Sequence, residues 1–368
     1  MGGIGKESKN YPIMLIIDAH LDLAMNALEW NRDLTRSIIE INEREAGLKD
    51  KPDRGNSMVC LQELRKGNIG IVVATQIARV VEKGSSLPGW NSSEQAWAHT
   101  QGQLAYYRSL ENKGELIQLK NWKDIENHLT YWNETKDLKK KIGYILSLEG
   151  ADSIINLEYL DYAFDYGLRA IGPAHYGPGR YANGTDSEGG LTNHGKALIK
   201  KIEKKKMILD ATHLCDEAFW DAMEIYHGAV WASHQNSRTI VNHNRQFSDN
   251  QFKELIKRNG FIGMPLDAWM MVPDWKRGES TPIGKNVSLN TMIDHLVHIC
   301  SIAGNVNHVG IGTDLDGAFG REQAPFDMNT IADLQKLPIL FEKRGFSKIE
   351  IEKILSGNIL RFLKNNLN

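Results

Sequence analysis

Histidine and carboxylate side chains stand directly after short apolar runs at widely separated places in this 368-residue sequence. Six runs end in this way, at residues 18–22, 147–150, 172–175, 210–213, 232–234 and 312–317. Imidazole nitrogens and carboxylate oxygens, without thiolates, are the ligands of catalytic zinc sites that keep one coordination position open. The pattern therefore predicts a metal site, provided that the fold brings these segments together.

The spacing of the candidate ligands indicates how such a site is built. His20 and Asp22 are two residues apart, so both side chains lie on the same face of a strand and can reach one ion. His213 and His234 offer two more nitrogens, and Glu149 has two oxygens that can bridge two ions. Taken singly, each of these residues is more often an ordinary polar group than a ligand, so the prediction depends on the whole set.

Eight short apolar or β-branched runs alternate with polar segments that have helix signals. The runs are residues 15–17, 69–75, 142–148, 168–172, 207–210, 229–233, 261–264 and 309–313. Strands that alternate with helices are typical of parallel βαβ units. Eight such units favour a single (β/α)₈ TIM-type barrel of the α/β class, in which the carboxyl ends of all strands meet at one rim. The sequence lacks a glycine-rich fingerprint after the first run, which disfavours a dinucleotide-binding fold.

Local signals between the runs predict helix starts and two long loops. Capping-box pairs are Ser92 with Gln95, Ser248 with Gln251 and Ser347 with Glu350. Long loops are predicted after the first and second strands, at residues 32–57 and 80–93, beside the substrate pocket of a barrel. Two alternatives stay open for Trp90 and Trp97, which either line that pocket or pack on the surface. His295 and His298 have helical spacing and are expected on a helix surface.

The composition limits the classes of partner and compartment. A net charge of −2 gives no electrostatic reason to expect nucleic acid or an anionic membrane surface. No apolar run reaches the ~18 residues that span a bilayer. Cys60, Cys215 and Cys300 form no CxxC pair, which favours a reducing compartment. We therefore expect one domain over residues 1–368, with a flexible N-terminus at 1–12. The protein is expected to be cytoplasmic as the chain stands, or periplasmic or secreted if a signal segment was removed.

Where the apolar runs end in histidine and carboxylate residues, the sequence resembles the renal (membrane) dipeptidases of the amidohydrolase superfamily. The matching pieces are residues 18–23, 148–151, 210–213, 233–234, 244–245, 310–317 and 357–361, together with His175. They follow one another in order from about Ile16 to Phe362. Many amidohydrolases carry a second histidine in the first motif, whereas Asp22 stands there in this chain and points to this family.

The resemblance implies a site with two zinc ions, although other divalent metals stay open. One ion would be held by His20, Asp22 and Glu149. The other ion would be held by Glu149, His213 and His234. A hydroxide activated by the two ions would attack the amide carbonyl.

The resemblance also implies roles toward the substrate. His175 would contact the substrate near the scissile carbonyl and stabilise the developing oxyanion. Arg245, eleven residues after the last zinc histidine, would bind the substrate carboxylate with its planar guanidinium. Asp314 would move the proton as general acid and base. Asp316, at the turn that follows, is expected to be structural.

The resemblance weakens in the loop after the seventh strand, at residues 263–279. The family's usual pattern is absent there, so the roles of Asp267 and Trp269 and the identity and stereochemistry of the dipeptide stay open. We expect a metal-dependent dipeptidase that acts on small dipeptides with a free C-terminal carboxylate. The alternatives are another amidohydrolase, such as an N-acyl-amino-acid deacylase or a lactonase, and a non-catalytic barrel that binds a ligand. A homodimer is also left open.

Overall fold

The computed structural model describes residues 12–137 and 139–367. Except for Pro12, the predicted flexible N-terminus lies outside the described residues, and its flexibility stays a prediction. None of the helices in these two ranges has the length and the apolar character needed to cross a membrane.

Eight parallel strands close into a barrel, because β2 pairs with both β1 and β4 and β1 pairs with β9. The strands are β1 (Ile16–Leu21), β2 (Ile69–Ile77), β3 (Leu116–Gln118), β4 (Ile142–Glu149), β5 (Leu168–Ile171), β6 (Ile208–Asp210), β7 (Val230–Ala232), β8 (Phe261–Met264) and β9 (Val309–Ile311). Among the described strands, the short β3 pairs with β4 alone and lies outside the ring. The eight runs predicted from the sequence are the eight ring strands, so the predicted barrel is confirmed. The sequence did not predict β3.

Fourteen α-helices connect the strands in the part of the chain that the structure describes. Helices α1–α7 are Leu23–Glu29, Ile38–Arg44, Leu61–Lys66, Ser93–Asn112, Trp122–Glu134, Leu157–Asp165 and Asn193–Lys204. Helices α8–α14 are Asp216–Ile225, Asp249–Lys257, Ala268–Met271, Leu289–Ala303, Leu337–Lys343, Lys348–Glu352 and Asn358–Asn366. Two 3₁₀ helices, Ala151–Ser153 and Ile331–Lys336, and a π-helical turn, Lys353–Gly357, complete the set.

The predicted helix starts are confirmed at α4, α9 and α13. Complete capping boxes, with reciprocal bonds between the cap and the third helical residue, begin α9 at Ser248 and α13 at Ser347. At α4, the side chain of Ser92 accepts a hydrogen bond from the N–H of Gln95. Such a cap satisfies backbone donors that the helix itself leaves unpaired.

The apolar core has two layers, which follow the alternation of side chains along the strands. In β2, Ile71 and Val73 belong to one buried cluster, whereas Val72 belongs to another. The first cluster fills the barrel, and α14 packs against it through Ile359 and Phe362. The second cluster lies between the strands and the outer helices. Apolar side chains therefore fill the interior of the barrel below the rim where the strands end.

His295 in α11 is fully buried, so the prediction that it lies on a helix surface is wrong. Its Nδ1 accepts from the N–H of Ser237 at 3.0 Å, and its Nε2 donates to the carbonyl of Met271 at 3.0 Å. The histidine therefore joins α11 to the segments that follow β7 and β8. His298, one turn later, is partly buried and pairs with Asp249 at 2.8 Å.

Candidate metal centre

A cavity of about 480 Å³ opens at the carboxyl end of the barrel, and residues at or after the end of every ring strand line its wall. This volume suits a small organic molecule, since such pockets measure roughly 300–1,000 Å³. Each ring strand is associated with at least one charged or histidine residue of the wall. Taken in strand order, one from each is Asp22, Arg79, Glu149, His175, His213, Arg245, Asp267 and Asp314.

Glu149, the last residue of β4, lies at the centre of the cluster. Its Oε1 is 3.2 Å from Nε2 of His213, 3.4 Å from Nε2 of His234 and 3.7 Å from Nε2 of His20. The Nε2 atoms of His213 and His234 are 3.2 Å apart. Three imidazoles at or after the ends of β1, β6 and β7 therefore point their Nε2 atoms at one carboxylate.

Three overlapping groups of ligand atoms, each within 4.8 Å, have the composition of metal sites. They are Glu149 with His213 and His234, His20 with Asp22 and Glu149, and His20 with His234 and Asp314. Nε2 of His20 and Oδ1 of Asp22 are buried and have no hydrogen-bond partner among the residues that the structure describes. Buried polar atoms are nearly always satisfied, so these two unpaired atoms fit a bound cation.

Hydroxyl groups orient the three imidazoles from behind. Oγ of Ser233 lies 2.9 Å from Nδ1 of His234 and 3.3 Å from Nδ1 of His20. Oγ1 of Thr185 lies 3.0 Å from Nδ1 of His213. A hydroxyl oxygen accepts from Nδ1–H, and the lone pair on Nε2 is then free to bind a metal. Sequence reasoning did not assign these hydroxyls.

Burial shifts the pKa values of the candidate ligand groups toward their neutral forms when only protein atoms surround them. Desolvation lowers the pKa of His20 to about 3 and lowers the pKa values of His213 and His234 well below the ordinary value. Desolvation, with Asp22 as a second cause, raises the pKa of Glu149 well above its usual range. Desolvation also raises the pKa of Asp22 to about 7. A divalent cation would reverse the carboxyl shifts, because it stabilises the ionised form.

Unusual backbone conformations place some of these side chains. His213 and Asp314 have φ of 69° and 56°, a left-handed conformation that costs an L-residue roughly 1–2 kcal/mol and that concentrates at functional sites. Gly150 follows Glu149 with φ of 76°, and a Cβ there would lie 3.3 Å from Cβ of His175. Glycine therefore lets the ends of β4 and β5 approach each other.

His175 and Arg245 lie in the same cavity as the ligand cluster. Nε2 of His175 is 3.9 Å from Oε1 of Glu149. The guanidinium of Arg245 is 2% exposed and donates to Oε1 of Gln235 at 2.7 Å and to the carbonyl of His234 at 3.1 Å. Gln235 in turn donates to the carbonyl of Arg245 at 2.7 Å. These contacts hold the arginine rigidly at the wall of the cavity.

Asp314 and Asp316 have different surroundings, although they are two residues apart. Asp314 lines the cavity, with Oδ1 3.8 Å from Nε2 of His20. Asp316 is fully buried and accepts from the hydroxyl of Ser57 at 2.7 Å and from the N–H groups of Met58 and Val59. Asp314 can therefore reach a bound molecule, whereas Asp316 fastens the loop after β1.

Several wall residues were missed or left open by sequence reasoning. Arg79, two residues after β2, had no distinguishing local signal. Asp267, which was left open, is buried at the wall and accepts from Gln323 at 2.7 Å. Trp269 also lines the cavity. From the predicted loop after β2 the lining residues are Leu87 and Pro88.

Trp90 and Trp97 pack against other side chains. The ring of Trp90 lies 4.9 Å from that of His99, and the ring of Trp97 lies 5.0 Å from that of Tyr159. Neither tryptophan is among the residues that line the cavity. Of the two alternatives from the sequence, surface packing is the one that the structure supports.

The molecule is thus a closed parallel TIM-type barrel with a buried imidazole and carboxylate cluster, a candidate metal site, at its carboxyl rim. The family profile described as "Membrane dipeptidase (Peptidase family M19)" matches residues 11–367. The chain therefore belongs to the membrane dipeptidase family M19, as its motifs predicted.

Part of the chain is also similar to an individual relative. A protein of Acinetobacter calcoaceticus, described as an uncharacterized protein in the PQQ-III 3′ region, is 31% identical over 170 residues. The match covers 44% of this chain and 52% of that protein, so it spans about half of the relative's length.

Solved structures share the fold over nearly the whole chain. A dipeptidase of metallopeptidase family M19 superposes with a TM-score of 0.79 at 19% identity, covering 97% of this chain and 99% of that one. A metallopeptidase of Rhodobacter sphaeroides, liganded with a phosphinate mimic of the dipeptide L-Ala-D-Ala, gives a TM-score of 0.76 at 18% identity and covers 96% and 99%. At these identities the likeness concerns the fold.

Proposed function

We propose that this chain is a metal-dependent dipeptidase that hydrolyses the amide bond of small dipeptides with a free C-terminal carboxylate. The position of Glu149 carries the proposal, because its Oε1 lies within 3.7 Å of the Nε2 atoms of three histidines. One carboxylate thus stands between two sets of ligands, which suits a pair of zinc ions or other divalent ions.

The ligand sets follow from the overlapping groups of the cluster. His20, Asp22 and Glu149 would hold one ion. Glu149, His213 and His234 would hold the second. Such ions, when bound, lower the pKa of water to roughly 7 and polarise a carbonyl.

Side chains of the cavity would bind the dipeptide and move protons. Arg245 is prearranged by Gln235 and offers its remaining N–H groups to the substrate carboxylate. Asp314 would take a proton from the attacking water and pass it to the leaving amine. Nε2 of His175 faces the same space and would donate to the carbonyl oxygen as negative charge develops there. The dipeptide mimic held by the Rhodobacter sphaeroides relative is consistent with this substrate class.

The proposal is tested with a dipeptide library that includes D-residues at the C-terminal position. We expect hydrolysis by protein loaded with zinc, loss of activity with a chelator and recovery when the metal is restored. Dipeptides and their N-acyl and lactone counterparts should be compared at equal concentrations. If the metal-loaded protein cleaves N-acyl amino acids or lactones but no dipeptide, the proposed substrate class is wrong.

Arg245→Ala should impair cleavage of dipeptides with a free carboxylate far more than cleavage of amidated dipeptides. The reason is that only the free carboxylate pairs with the guanidinium. Arg245→Lys should restore only part of the loss, because a point charge lacks the planar pair of donors. The ratio of kcat/KM for free and amidated substrates measures the effect. Equal losses on both substrates would show that Arg245 has another role.

A further inference from the structure

The histidines of the site differ in what faces Nδ1. For His20, His213 and His234 the partner is a hydroxyl oxygen of Ser233 or Thr185. A hydroxyl can accept a proton from Nδ1, which leaves the lone pair on Nε2. These three histidines are therefore suited to bind metal through Nε2.

Nδ1 of His175 faces a different partner, the guanidinium of Arg79. Nη2 of Arg79 donates to this nitrogen. Arginine has five N–H donors and no acceptor, and it stays protonated in proteins. Nδ1 of His175 must therefore carry the lone pair, and the proton of the neutral ring must lie on Nε2.

Arg79 is held in place by the loop after β2. Its Nη1 donates to the carbonyl of Pro88 at 2.7 Å, and its carbonyl accepts from the N–H of Trp90 at 2.8 Å. Asp152 fixes the next residue by accepting from the N–H of Val80 at 3.0 Å. The backbone of Arg79 and one nitrogen of its guanidinium are thus held by contacts other than the one to His175.

From this contrast we infer that Arg79 is a positioning residue that keeps the proton of His175 on Nε2. His175 then presents a hydrogen-bond donor to the cavity and has no lone pair there with which to bind metal. The inference deepens the proposed function and rests on it, since an Nε2–H donor is what an oxygen that gains negative charge requires.

The geometry around Nε2 supports this assignment. Nε2 of His175 lies 3.9 Å from Oε1 of Glu149, so its proton points toward the centre of the ligand cluster. His175 belongs to none of the three groups of possible metal ligands among the described residues, although its ring lies 4.4 Å from that of His213. With its proton on Nε2, the ring of His175 offers the cluster a hydrogen-bond donor and no lone pair.

Nuclear magnetic resonance of zinc-loaded protein with ¹⁵N-labelled histidine rings tests the tautomer directly. The signals of His175 are assigned by their loss in His175→Gln. We expect a pyrrole-type Nε2 and a pyridine-type Nδ1 in the wild type. In Arg79→Met, which lacks a donor, this single tautomer should give way to a mixture or to the opposite one. A wild-type ring protonated on Nδ1 overturns the inference, whether or not Arg79→Met folds.

Kinetics provide the second readout. Arg79→Met should lower kcat roughly 10- to 100-fold, somewhat less than the loss of a whole oxyanion donor, with little change in KM. Arg79→Lys keeps a donor and should recover part of kcat. Arg180→Met is the matched control, since Arg180 lies outside the cavity and donates to Ser93 at 3.3 Å. An unchanged tautomer in Arg79→Met overturns the inference, whatever the value of kcat.

The two proposals fail in different ways. If the wild type cleaves no dipeptide but His175 has the expected tautomer and loses it in Arg79→Met, the positioning role stands and the proposed substrate is wrong. If the wild type cleaves dipeptides but the tautomer does not depend on Arg79, the positioning role is wrong and the proposed function stands.

Discussion

At the scale of single residues, Asp314 is the carboxylate best placed to exchange a proton with a bound molecule. It lines the cavity 3.8 Å from Nε2 of His20. Desolvation, followed by the nearby charges of Asp22 and Glu149, raises its pKa well above the usual range. A bound cation would lower this pKa again, so the proposed role of Asp314 depends on its position, from which a carboxylate can accept a proton and return it.

Asp314→Asn should therefore lower the rate by roughly 10²–10⁴, the usual contribution of a positioned acid–base group. Asparagine keeps the size of the side chain but cannot accept the proton. Metal content, measured by elemental analysis, should change little. If Asp314→Asn stays active while Asp316→Asn is inactive with its metal bound, the roles of the two aspartates must be exchanged.

At the scale of elements, the loop between β1 and β2 is fastened by a buried ion network. Arg32 is fully buried and pairs with Glu45 at 2.8 Å and with Asp53 at 2.9 Å. Its Nη1 lies 3.8 Å from Oδ2 of Asp316, which also accepts from the N–H groups of Met58 and Val59. The turn that carries Asp314 is therefore tied to the loop after β1.

Asp316→Asn should reduce the free energy of unfolding by about 3 kcal/mol, near the lower end of the loss expected when one partner of a buried ion pair is removed. The lower end is expected because Arg32 keeps two other carboxylate partners. Denaturant titration measures the loss, and activity per folded, metal-loaded molecule should persist. Asp33→Asn is the matched control, because Asp33 and its partner Arg36 are exposed and such pairs contribute about 0–1 kcal/mol. Equal effects of both substitutions would contradict the structural role of Asp316.

His295 in α11 makes the stability of the fold depend on pH. Burial lowers the pKa of His295 to about 4, whereas an unfolded histidine titrates near 6.5. Between these values the unfolded chain binds a proton that the folded chain excludes, so stability falls as the pH decreases from 6.5 toward 4. The loss amounts to about 3 kcal/mol across this window.

His295→Gln should make the free energy of unfolding less steep between pH 6.5 and pH 4. Glutamine can still accept from Ser237 and donate to Met271, but it does not titrate. Both proteins are measured by denaturant titration with chelator present, so that the other histidines contribute equally. Parallel curves for the two proteins would show that His295 does not cause this part of the pH dependence.

At the scale of the whole molecule, the barrel gathers candidate metal ligands from segments that are far apart in the sequence. His20 lies in β1, whereas His213 and His234 lie after β6 and β7. Because the strands are parallel, all their carboxyl ends reach one rim. A metal that binds only this assembled cluster also stabilises the fold by mass action.

We therefore expect two zinc-like ions per chain in protein purified without chelator, and a lower Tm after chelation. Glu149→Gln should reduce the occupancy of both sites, because this residue would serve both ions. Asp267→Asn is the control, since Asp267 lines the cavity but belongs to none of the three ligand groups among the described residues. A reproducible content of one ion with full activity would contradict the two-ion site.

The sequence by itself was sufficient for the barrel and for the histidine and carboxylate residues that meet at its rim. The alternation of apolar runs and polar segments is a local signal, and each run that ends in His20, Glu149, His213 or His234 can be recognised without knowing its neighbours. Parallel topology then requires these ends to meet. The family motifs pointed to the same residues, and residues 11–367 match that family.

Only the tertiary structure decided which partner each of these side chains has. Arg79 and His175 are 96 positions apart, and Asp316 and Met58 are 258 positions apart. His295 has the spacing of a surface helix residue, yet the segments after β7 and β8 cover it. No local pattern encodes such pairs, because they depend on how loops from different strands fold over one rim. The tautomer of a histidine or the charge of an aspartate is set by those neighbours, and therefore by the assembled barrel.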